Sequence, residues 1–519
     1  MYTIKQKNRC LHKRKRENIG GISMLDSVNM KSTVTKEEFK KQAKKLEKEL
    51  ETLPQHIKEA RIPVIILFEG WGAAGKGSII SDLILNFDPR GFKVVSTTAP
   101  TENDKRRPPM WRHWQNLPEQ GLMSILDRSW YQDVSIARVE DDLPDAENLH
   151  RMNSINIFER QLTDNGYLVL KFFLHISQKE QKARFEKLES DKNTAWRVTD
   201  KDWWRNKHYN LYYRTLDEML EYTNTPNAPW HVVCSNDTQA ALLSVYRTVL
   251  ASVHEAIEAK KQGLSISAAK GISAPKPFNL VHTPLLSEIT LEDKTISDDK
   301  YKRELAKLQK KLNALHYKLY RRKLPVIVAY EGWDAAGKGG NIKRIAAALD
   351  PRGYEVIPIA APTKPELYRH YLWRFWTKIP KTGHIAIFDR TWYGRVMVER
   401  IEGFCTEDDW KRAYQEINEF ERELTDWGAV VVKFWIHIDQ DEQLRRFQDR
   451  QNTPEKQWKI TDEDWRNREK WPQYEVAVNE MLQKTSTEFA PWHIIESQDK
   501  KYARIKALKI LIKAIEDAL

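Results

Sequence analysis

Cysteine is scarce in this sequence, and long apolar runs are absent from it. The 519 residues include three cysteines, Cys10, Cys234 and Cys405. Their wide separation excludes a disulfide framework and a zinc-binding spacing, so we expect a reducing compartment, the cytoplasm. No uncharged stretch approaches the roughly 18 apolar residues of a spanning helix, and the sequence therefore predicts no membrane partner. A hydrophobic content of 41% excludes a disordered chain.

The excess of positive charge is also small. Lys and Arg number 85 and Asp and Glu 73, a formal net charge of +12. Residues 1–23 carry about half of it, with seven basic side chains and the single acid Glu17, but no apolar core of a secretory signal. We expect a disordered arm that contacts an anionic substrate or, preferably, an extension ahead of a start at Met24 or Met30. The remaining charge is too small to predict nucleic-acid binding.

The chain contains a long internal repeat. GWGAAGKG begins at Gly70, and GWDAAGKG begins at Gly332, an offset of 262 residues. The same offset relates two copies of DPRG, DRSWY to DRTWY, KFFLHI to KFWIHI, and two copies of APW. A register held without a gap for so long is typical of a duplicated domain and not of a solenoid unit.

The repeat predicts the domain organisation. We expect a basic, disordered segment over 1–35, a first domain over 36–262, a linker rich in Ser, Ala, Lys and Pro over 263–299, and a second domain over 300–519. Each copy opens with a charged, amphipathic helix and continues with a short β-branched apolar run. Strand-like and helical patterns then alternate, which favours parallel βαβ units and an α/β fold in each domain.

A phosphate-binding loop is the strongest chemical signal. Gly332, Gly337 and Lys338 form G-x-x-x-x-G-K directly after a predicted strand and before a predicted helix. In that context backbone N–H groups and the helix N-terminus converge on phosphate oxygens, and the lysine neutralises charge. We assign Gly337 and Gly339 to phosphate binding. Gly339 stands where Ser or Thr would supply a hydroxyl to Mg²⁺.

The metal must therefore be held by other groups. Asp334 lies inside the loop, and Asp389 ends the apolar run HIAIFD, as a Walker B aspartate does. Two carboxylates with phosphate oxygens suit a hard Mg²⁺ ion, so we predict Asp334 and Asp389 as its ligands. The alternative for Asp389 is a cap on the following segment.

These motifs resemble the second family of polyphosphate kinases. GWDAAGKGG, DPRG, DRTWYGR followed by VERIEGF, the REKW segment and the terminal APW carry the resemblance, which extends from about Lys36 to the end of the chain. It implies two tandem P-loop kinase-like domains, each a parallel sheet with flanking helices and a helical lid. It also implies Mg²⁺ and transfer of a terminal polyphosphate phosphoryl group to a nucleotide. The two-domain form implies AMP as acceptor and ADP as product.

Cationic side chains in the second copy suit the transfer of a phosphoryl group, because arginine can contact two phosphate oxygens at once. We predict Asp334, Lys338, Asp389, Arg390 and Arg395 as catalytic. Arg352, Arg374, Arg446 and Lys500 are predicted to bind phosphate or polyphosphate, and Arg445, Arg446 and Arg450 to belong to the lid. Arg395 and Glu399 are assigned to nucleotide binding, with an Arg395–Glu399 ion pair as an equal alternative for Glu399.

The two copies differ at several of these positions. Asp334 is replaced by Gly72, Arg344 by Asp82, Arg395 by Asp133, Glu399 by Ala137 and Lys500 by Thr238 in the first copy. A change from arginine to aspartate near a polyanion exchanges attraction for repulsion. We therefore predict an inactive first copy, which serves as a structural or polyphosphate-holding partner, and catalysis by direct in-line transfer in the second.

Three other functions compete with this hypothesis. They are a polyphosphate-dependent nucleoside diphosphate kinase, an ATP-dependent nucleoside monophosphate kinase, which Gly339 disfavours, and a nucleic-acid-binding P-loop protein, for which no RNA-binding signature is present. We interpret His437 as a strand-end histidine and not as a nucleophile. The tryptophans are interpreted as packing residues and not as base-stacking ones, namely Trp373, Trp376, Trp392, Trp458, Trp465 and Trp471. The sequence leaves a homo-oligomer open.

Overall fold

A computed structural model describes residues 23–263 and 277–519. The prediction for residues 1–22 and part of the predicted linker, 264–276, therefore lie outside the described residues. In the first copy the strands are β1 (Val64–Gly70), β2 (Phe92–Ser96), β3 (Met123–Asp127), β4 (Leu168–His175) and β5 (Trp230–Cys234). The helices are α1 (Lys36–Ala60), α2 (Lys76–Ile84), α3 (Trp111–Trp114), α4 (Ile136–Glu140), α5 (Asp145–Asp164), α6 (Gln178–Ser190), α7 (Asp200–Lys207), α8 (Tyr209–Thr223) and α9 (Thr238–Lys261).

The second copy repeats most of these elements. Its strands are β6 (Val326–Gly332), β7 (Tyr354–Pro358), β8 (Ile385–Asp389), β9 (Val430–His437) and β10 (Trp492–Glu496). Its helices are α10 (Asp298–Arg322), α11 (Lys338–Ala346), α12 (Lys364–Leu367), α13 (Trp373–Trp376), α14 (Val398–Ile401), α15 (Glu407–Asp426), α16 (Gln440–Gln451), α17 (Asp462–Glu469), α18 (Trp471–Thr485) and α19 (Lys500–Ala518).

Both copies contain the same five-stranded sheet. The strand order is β2-β3-β1-β4-β5 in the first and β7-β8-β6-β9-β10 in the second. In the second sheet β6 runs parallel to β8 and β9, with Val326 opposite Ile385 and Val430. The central strands are buried on both faces, as continuous apolar runs require. The predicted α/β class with tandem P-loop kinase-like domains is confirmed.

The helices that open the two copies form where the sequence predicts them. Thr35 caps α1 in a capping box with Glu38, which satisfies N–H groups that the first turn leaves without partners. Leu308, Leu312, Leu315 and Leu319 of α10 are buried, as their spacing of three and four residues requires. Helix α10 lies against α19, and Lys311 forms an ion pair with Glu516 there.

The chain folds into two compact units that differ from the two halves of the repeat. The described part of the first unit comprises 23–97, 125–156 and 168–263, and that of the second comprises 98–124, 157–167 and 277–519. Within the second unit Trp114 stacks on Trp376 with ring centroids 5.5 Å apart, and Gln161 donates to Glu419 at 2.8 Å. Side-chain packing thus assigns two segments of the first copy to the second unit. The boundaries at 262 and 300 stay predictions.

No helix in the described part of the chain combines the length and the apolar character needed to cross a membrane.

Candidate active site

The phosphate-binding loop of the second copy joins β6 to α11. Gly332 has a φ of +148°, and a Cβ there would lie 2.4 Å from the Ile436 carbonyl oxygen, so only glycine fits. Gly337 caps α11 with a φ of +116°. The Lys338 ammonium donates to the carbonyl oxygens of Gly332 at 2.6 Å and Trp333 at 3.2 Å. A Cβ at Gly339 would meet nothing within 4 Å. Steric hindrance therefore does not explain why Ser or Thr is absent from this position.

Glu331 is a residue of this site that the sequence analysis did not identify. Its side chain is only 5% exposed. Its Oε1 accepts hydrogen bonds from both the backbone N–H and the hydroxyl of Thr391, each at 2.7 Å. Burial raises the pKa of Glu331 above its ordinary value, against the nearby Lys338 charge. These bonds fix the turn after β8, where Arg390 has a left-handed φ of 64°. A glutamate, Glu69, also precedes the loop of the first copy. This recurrence is the sequence signal that could have identified Glu331.

Asp334 and Arg390 lie together above this turn. Arg390 Nη2 donates to Asp334 Oδ1 at 3.3 Å, and Asn467 Nδ2, from α17, donates to Asp334 Oδ2 at 3.1 Å. Burial acts to raise the pKa of Asp334, but the charges of Lys338 and Arg390 and the Asn467 bond hold it below its ordinary value. Asp334 is thus ionised at neutral pH, and Asn467 is a second residue that sequence reasoning missed.

The carboxylate of Asp389 has no hydrogen bond or ion pair within 23–263 and 277–519. Its position at the end of β8 and next to Arg390 places it at the carboxyl edge of the sheet, where the loop also lies. Anionic oxygens without a protein donor are ligands that a hard divalent cation prefers. The side chain of Asp389 therefore fits such a cation, whereas both oxygens of Asp334 accept protein hydrogen bonds and would have to exchange one of them for the metal. No group of three or more potential ligands occurs in the described residues.

Arg446 lies beneath the loop. Its side chain is 2% exposed, and its guanidinium donates to the carbonyl oxygens of Ala335 at 3.0 Å and Ala336 at 2.8 Å. Further bonds go to the Ser497 and Gln498 carbonyl oxygens and to Glu442. The sequence analysis predicted that the Arg446 guanidinium binds phosphate, whereas in the structure its N–H groups donate to carbonyl oxygens of the loop backbone. Arg446 therefore stabilises the shape of the phosphate-binding loop.

The other predicted arginines occupy varied environments. Arg352 is 89% exposed and pairs with Asp350 of its own turn, whose pKa the Arg352 hydrogen bonds hold below its ordinary range. Arg374 donates to the Ala360 carbonyl oxygen at 2.9 Å and lies 3.4 Å from Glu366. Arg395 lies over the Tyr371 ring, and its Nε is 3.2 Å from Glu399. Of the two predictions for Glu399, the ion pair with Arg395 is the one that matches its contact in the structure.

Lys500 lies at the first turn of α19 near the lid. Burial, with the charges of Arg446, Arg445 and Arg450, lowers the pKa of Lys500 to about 8, against the opposing charge of Glu442. The segment predicted as the lid comprises α16, a 3-10 helix over Pro454–Lys459 and α17. Arg445 pairs with Glu442 and Asp449, and Arg450 donates to the Lys459 carbonyl oxygen at 2.9 Å. Lys500 thus adds a cation that is electrostatically coupled to Arg446 and Glu442 of α16.

Aromatic packing confirms most of the expectations for histidine and tryptophan. His437 accepts from Trp333 Nε1 at 3.1 Å, and burial lowers the pKa of His437 to about 4, as a neutral packing residue requires. Trp376, Trp392 and Trp471 are buried, and Trp333 stacks on Trp471 at 3.7 Å. The packing prediction is wrong for Trp458, which is 75% exposed. It lies on the 3-10 helix of the lid, where no core element covers it.

The first copy keeps the loop together with Asp127, Arg128 and Arg184, and loses other groups around it. Lys76 donates to the Gly70 and Trp71 carbonyl oxygens at 3.0 and 3.1 Å, as Lys338 does at the matching positions. Gly72 supplies no carboxylate, and a Cβ there would lie 3.7 Å from Asp202 Oδ1. Gln132 donates to Glu69 Oε2 at 2.6 Å, where the second copy has Gly394. The two sites share a backbone and differ in charge.

Comparisons with known proteins give consistent results. The family model described as polyphosphate kinase 2 matches residues 33–261 and 295–519. A protein of Pseudomonas aeruginosa named polyphosphate:AMP phosphotransferase is 41% identical over 95% of this chain and 99% of its own length. One of the same name from Acinetobacter johnsonii is 37% identical over 87% of this chain and 91% of its own length. A crystal structure titled as a putative polyphosphate kinase 2 from P. aeruginosa covers 95% of this chain and 99% of that one, with a TM-score of 0.83 and 39% identity.

Proposed function

Since the chain belongs to the polyphosphate kinase 2 family, we propose that it transfers the terminal phosphoryl group of inorganic polyphosphate to AMP and forms ADP. The observation that carries this proposal is the similarity over both copies, at 41% identity, to a polyphosphate:AMP phosphotransferase. The second copy has the chemistry for it, because a phosphate-binding loop, two carboxylates and Arg390 meet at one edge of the sheet. The first copy lacks Asp334, Arg395 and Lys500, and we assign catalysis to the second.

The second copy performs the reaction by positioning and by charge. The Gly337 end of α11 and Lys338 bind the donor phosphates, because N–H groups at a helix N-terminus and a cation favour anionic oxygens. Asp334 and Asp389 hold Mg²⁺, which when bound neutralises charge on the transferred group. Asn467 and Arg390 fix the Asp334 carboxylate, and Arg446 holds the loop. We assign Arg395 and Glu399 to the nucleotide side and in-line attack by an AMP phosphate oxygen to the chemical step.

One assay tests the function. Purified chain, AMP, long-chain polyphosphate and Mg²⁺, without ATP, are expected to yield ADP, read by chromatography. ADP in place of AMP, in a parallel reaction, reads the competing diphosphate kinase activity by formation of ATP. Activity that requires ATP as donor would instead indicate a monophosphate kinase. No nucleotide product with any donor would contradict an enzymatic function and favour a binding protein.

The charge of Lys500 predicts a pH dependence of polyphosphate binding. In the free protein its pKa is about 8, so the side chain is protonated below that pH and neutral above it. A polyanion favours the protonated form, and we expect affinity to fall as pH rises through about 8. Calorimetric binding of tripolyphosphate across this range is the measurement. In Lys500→Met the fall is expected to disappear, and an unchanged fall in that variant would contradict the role of Lys500.

We also place the protein in the cytoplasm, since Cys234 and Cys405 are free thiols. Polyphosphate and AMP or ADP are its expected partners, with no role for nucleic acid or membrane.

A further inference from the structure

A cluster of buried charged and aromatic side chains lies beside Arg395. Its members, called the His370 cluster here, are His370, Tyr371, Arg412 and Glu416. Glu416 Oε1 accepts from Arg412 Nε at 2.7 Å, and Glu416 Oε2 lies 3.6 Å from His370 Nε2. Burial alone would raise the pKa of Glu416, but His370 and Arg412 hold it at about 2. The Glu416 carboxylate is therefore ionised at neutral pH although its side chain is fully buried.

The ring of His370 is held on both of its nitrogen atoms. Its Nδ1 accepts from the backbone N–H of Leu372 at 3.2 Å. An acceptor at Nδ1 places the ring proton on Nε2, which is the atom that faces Glu416. The backbone on one side and a carboxylate on the other thus fix the orientation of this ring.

The His370 cluster reaches Arg395 through Tyr371. The Tyr371 ring stacks on the His370 ring with centroids 4.9 Å apart, and the Arg395 guanidinium carbon lies 4.5 Å from the Tyr371 centroid. Burial and the charge of Glu416 raise the pKa of Tyr371 well above its ordinary value, so the ring stays neutral. A guanidinium stacked on an aromatic face keeps its charge and is restricted in direction. Together with Glu399, 3.2 Å from its Nε, Tyr371 therefore orients Arg395.

Segments of the first copy that belong to the second unit pack against His370. The buried Trp114 ring meets the His370 ring edge to face, with centroids 5.4 Å apart. The backbone N–H of His370 donates to the Tyr167 hydroxyl at 3.4 Å. Arg369, the preceding residue, donates to the Leu117 carbonyl oxygen at 3.0 Å. The position of His370 thus depends on residues of the first copy.

The repeat offers an internal comparison, because the first copy has replaced the whole His370 cluster. The residues at the positions of His370, Tyr371, Arg412 and Glu416 are Pro108, Pro109, His150 and Ser154. The buried ion pair of Lys433 with Glu421, at 2.8 Å, by contrast has Lys171 and Glu159 at the matching positions. Both copies keep the residues of this pair, whereas the His370 cluster occurs only in the copy that has Arg395. The shared backbone therefore does not require the cluster.

We propose that the His370 cluster positions Arg395 for the AMP acceptor, with His370 and Glu416 as its positioning residues. The first copy then serves the second by fixing His370. This proposal rests on the proposed function, because it takes Arg395 to lie on the nucleotide side. AMP meets a guanidinium that is already oriented, so less conformational freedom is lost on binding. The donor phosphates bind at the loop near Lys338 and gain nothing from the cluster.

The variant His370→Ala tests this positioning. We expect its KM for AMP to rise about tenfold, because a displaced side chain costs binding, and its KM for polyphosphate to stay unchanged. A variant that is only less stable would contain less active protein, which lowers the apparent kcat and leaves both KM values as they were. Equal changes in the two KM values, or no change in either, would overturn the proposal.

His384→Ala is the matched control. His384 also contacts a first-copy segment, since its Nδ1 lies 3.5 Å from Arg106 Nη2. It directly precedes β8, at the end of the strand opposite to Asp389. We expect both KM values of this variant to equal those of the wild type. Circular dichroism verifies folding, and Glu416→Gln, which keeps the side-chain volume and removes the charge, provides the same test if His370→Ala does not fold.

A double variant tests whether His370 acts through Arg395. Arg395→Met/His370→Ala is expected to show the same KM for AMP as Arg395→Met alone, because an effect that Arg395 transmits is already lost in the single variant. An additional increase of about tenfold in the double variant would show that His370 acts independently of Arg395, and it would overturn the positioning role.

Direct binding separates this proposal from the proposed function. Calorimetry with AMP, in the absence of polyphosphate, measures acceptor affinity without turnover. A loss of affinity in His370→Ala and not in His384→Ala supports the cluster even if the wild-type chain forms no ADP, in which case the proposed function alone fails. Unchanged affinity in His370→Ala, or an equal loss in His384→Ala, overturns the cluster and leaves the proposed function untouched. A wild-type chain that binds no AMP contradicts both.

Discussion

Lys338→Ala is expected to lower kcat for ADP formation about 10³-fold. Lys338 is the cation of the phosphate-binding loop in the copy that we consider catalytic, and removal of one donor that stabilises transition-state charge costs about 10²–10³-fold. We proposed that this lysine binds the donor phosphates, where charge on the transferred phosphoryl group would lose a cation that stabilises it. Steady-state turnover of AMP and polyphosphate at saturating substrate is the measurement.

The first copy provides the control for this variant. Lys76 makes the same two bonds to loop carbonyls as Lys338, so Lys76→Ala loses the same structural contacts, worth about 1.5–3 kcal/mol each for a charged donor. Any loss of stability is thus common to both variants, whereas the loss of turnover is expected only for Lys338→Ala. An equal loss of turnover in Lys76→Ala would show that the first copy takes part in catalysis.

Asp334→Gly, which introduces the residue of the first copy, is expected to reduce turnover at least about 100-fold. Asp334 is one of two carboxylates proposed to hold the cation, and even changes in the outer partners of a metal cost about 10–100-fold. The half-exposed Arg390 loses one carboxylate and keeps Glu463 at 4.0 Å, and the first copy folds with glycine at the matching position, so we expect the fold to be retained. Turnover against Mg²⁺ concentration and Mn²⁺ affinity by electron paramagnetic resonance measure the effect.

The reverse change tests whether Gly72 alone silences the first copy. In a Lys338→Ala background, Gly72→Asp is expected to restore no activity. A carboxylate at position 72 would lie close to Asp202, since a Cβ there is already 3.7 Å from its Oδ1, and Asp82 and Asp133 still oppose a polyanion. Recovery of turnover in this double variant would mean that one carboxylate was the sole defect.

Much of the fold and part of the site could be predicted from sequence. The repeat offset of 262 residues and the alternation of apolar runs with amphipathic helices predicted two parallel sheets, and both form with the same strand order. Residues fixed by backbone geometry, such as Gly332 and Gly337, were also predictable, because the loop needs their positive φ. The strands, the helices and the loop glycines could be predicted because each depends mainly on residues that are close to it in the sequence.

The direction of long side chains could not be predicted in this way. Arg390 follows the apolar strand β8, and Arg446 lies in the charged helix α16. Arg446 turns under the loop to its carbonyl oxygens, while Arg390 pairs with Asp334. The difference depends on contacts with residues more than 50 positions away. The sequence analysis assigned Arg390 to catalysis and Arg446 to phosphate binding, because it could assess charge and not orientation.

The sequence by itself determined that this chain is a duplicated α/β protein whose first copy lacks several charged residues of the second, since motif spacing and residue type carry that information. Only the tertiary structure decided which charges converge. Glu331 was identified by its bonds to Thr391, Asn467 by its bond to Asp334, and His370 by its contact with Trp114. Each depends on elements that are distant in the chain and adjacent in space. A one-dimensional pattern records which groups are present, whereas packing determines which of them meet.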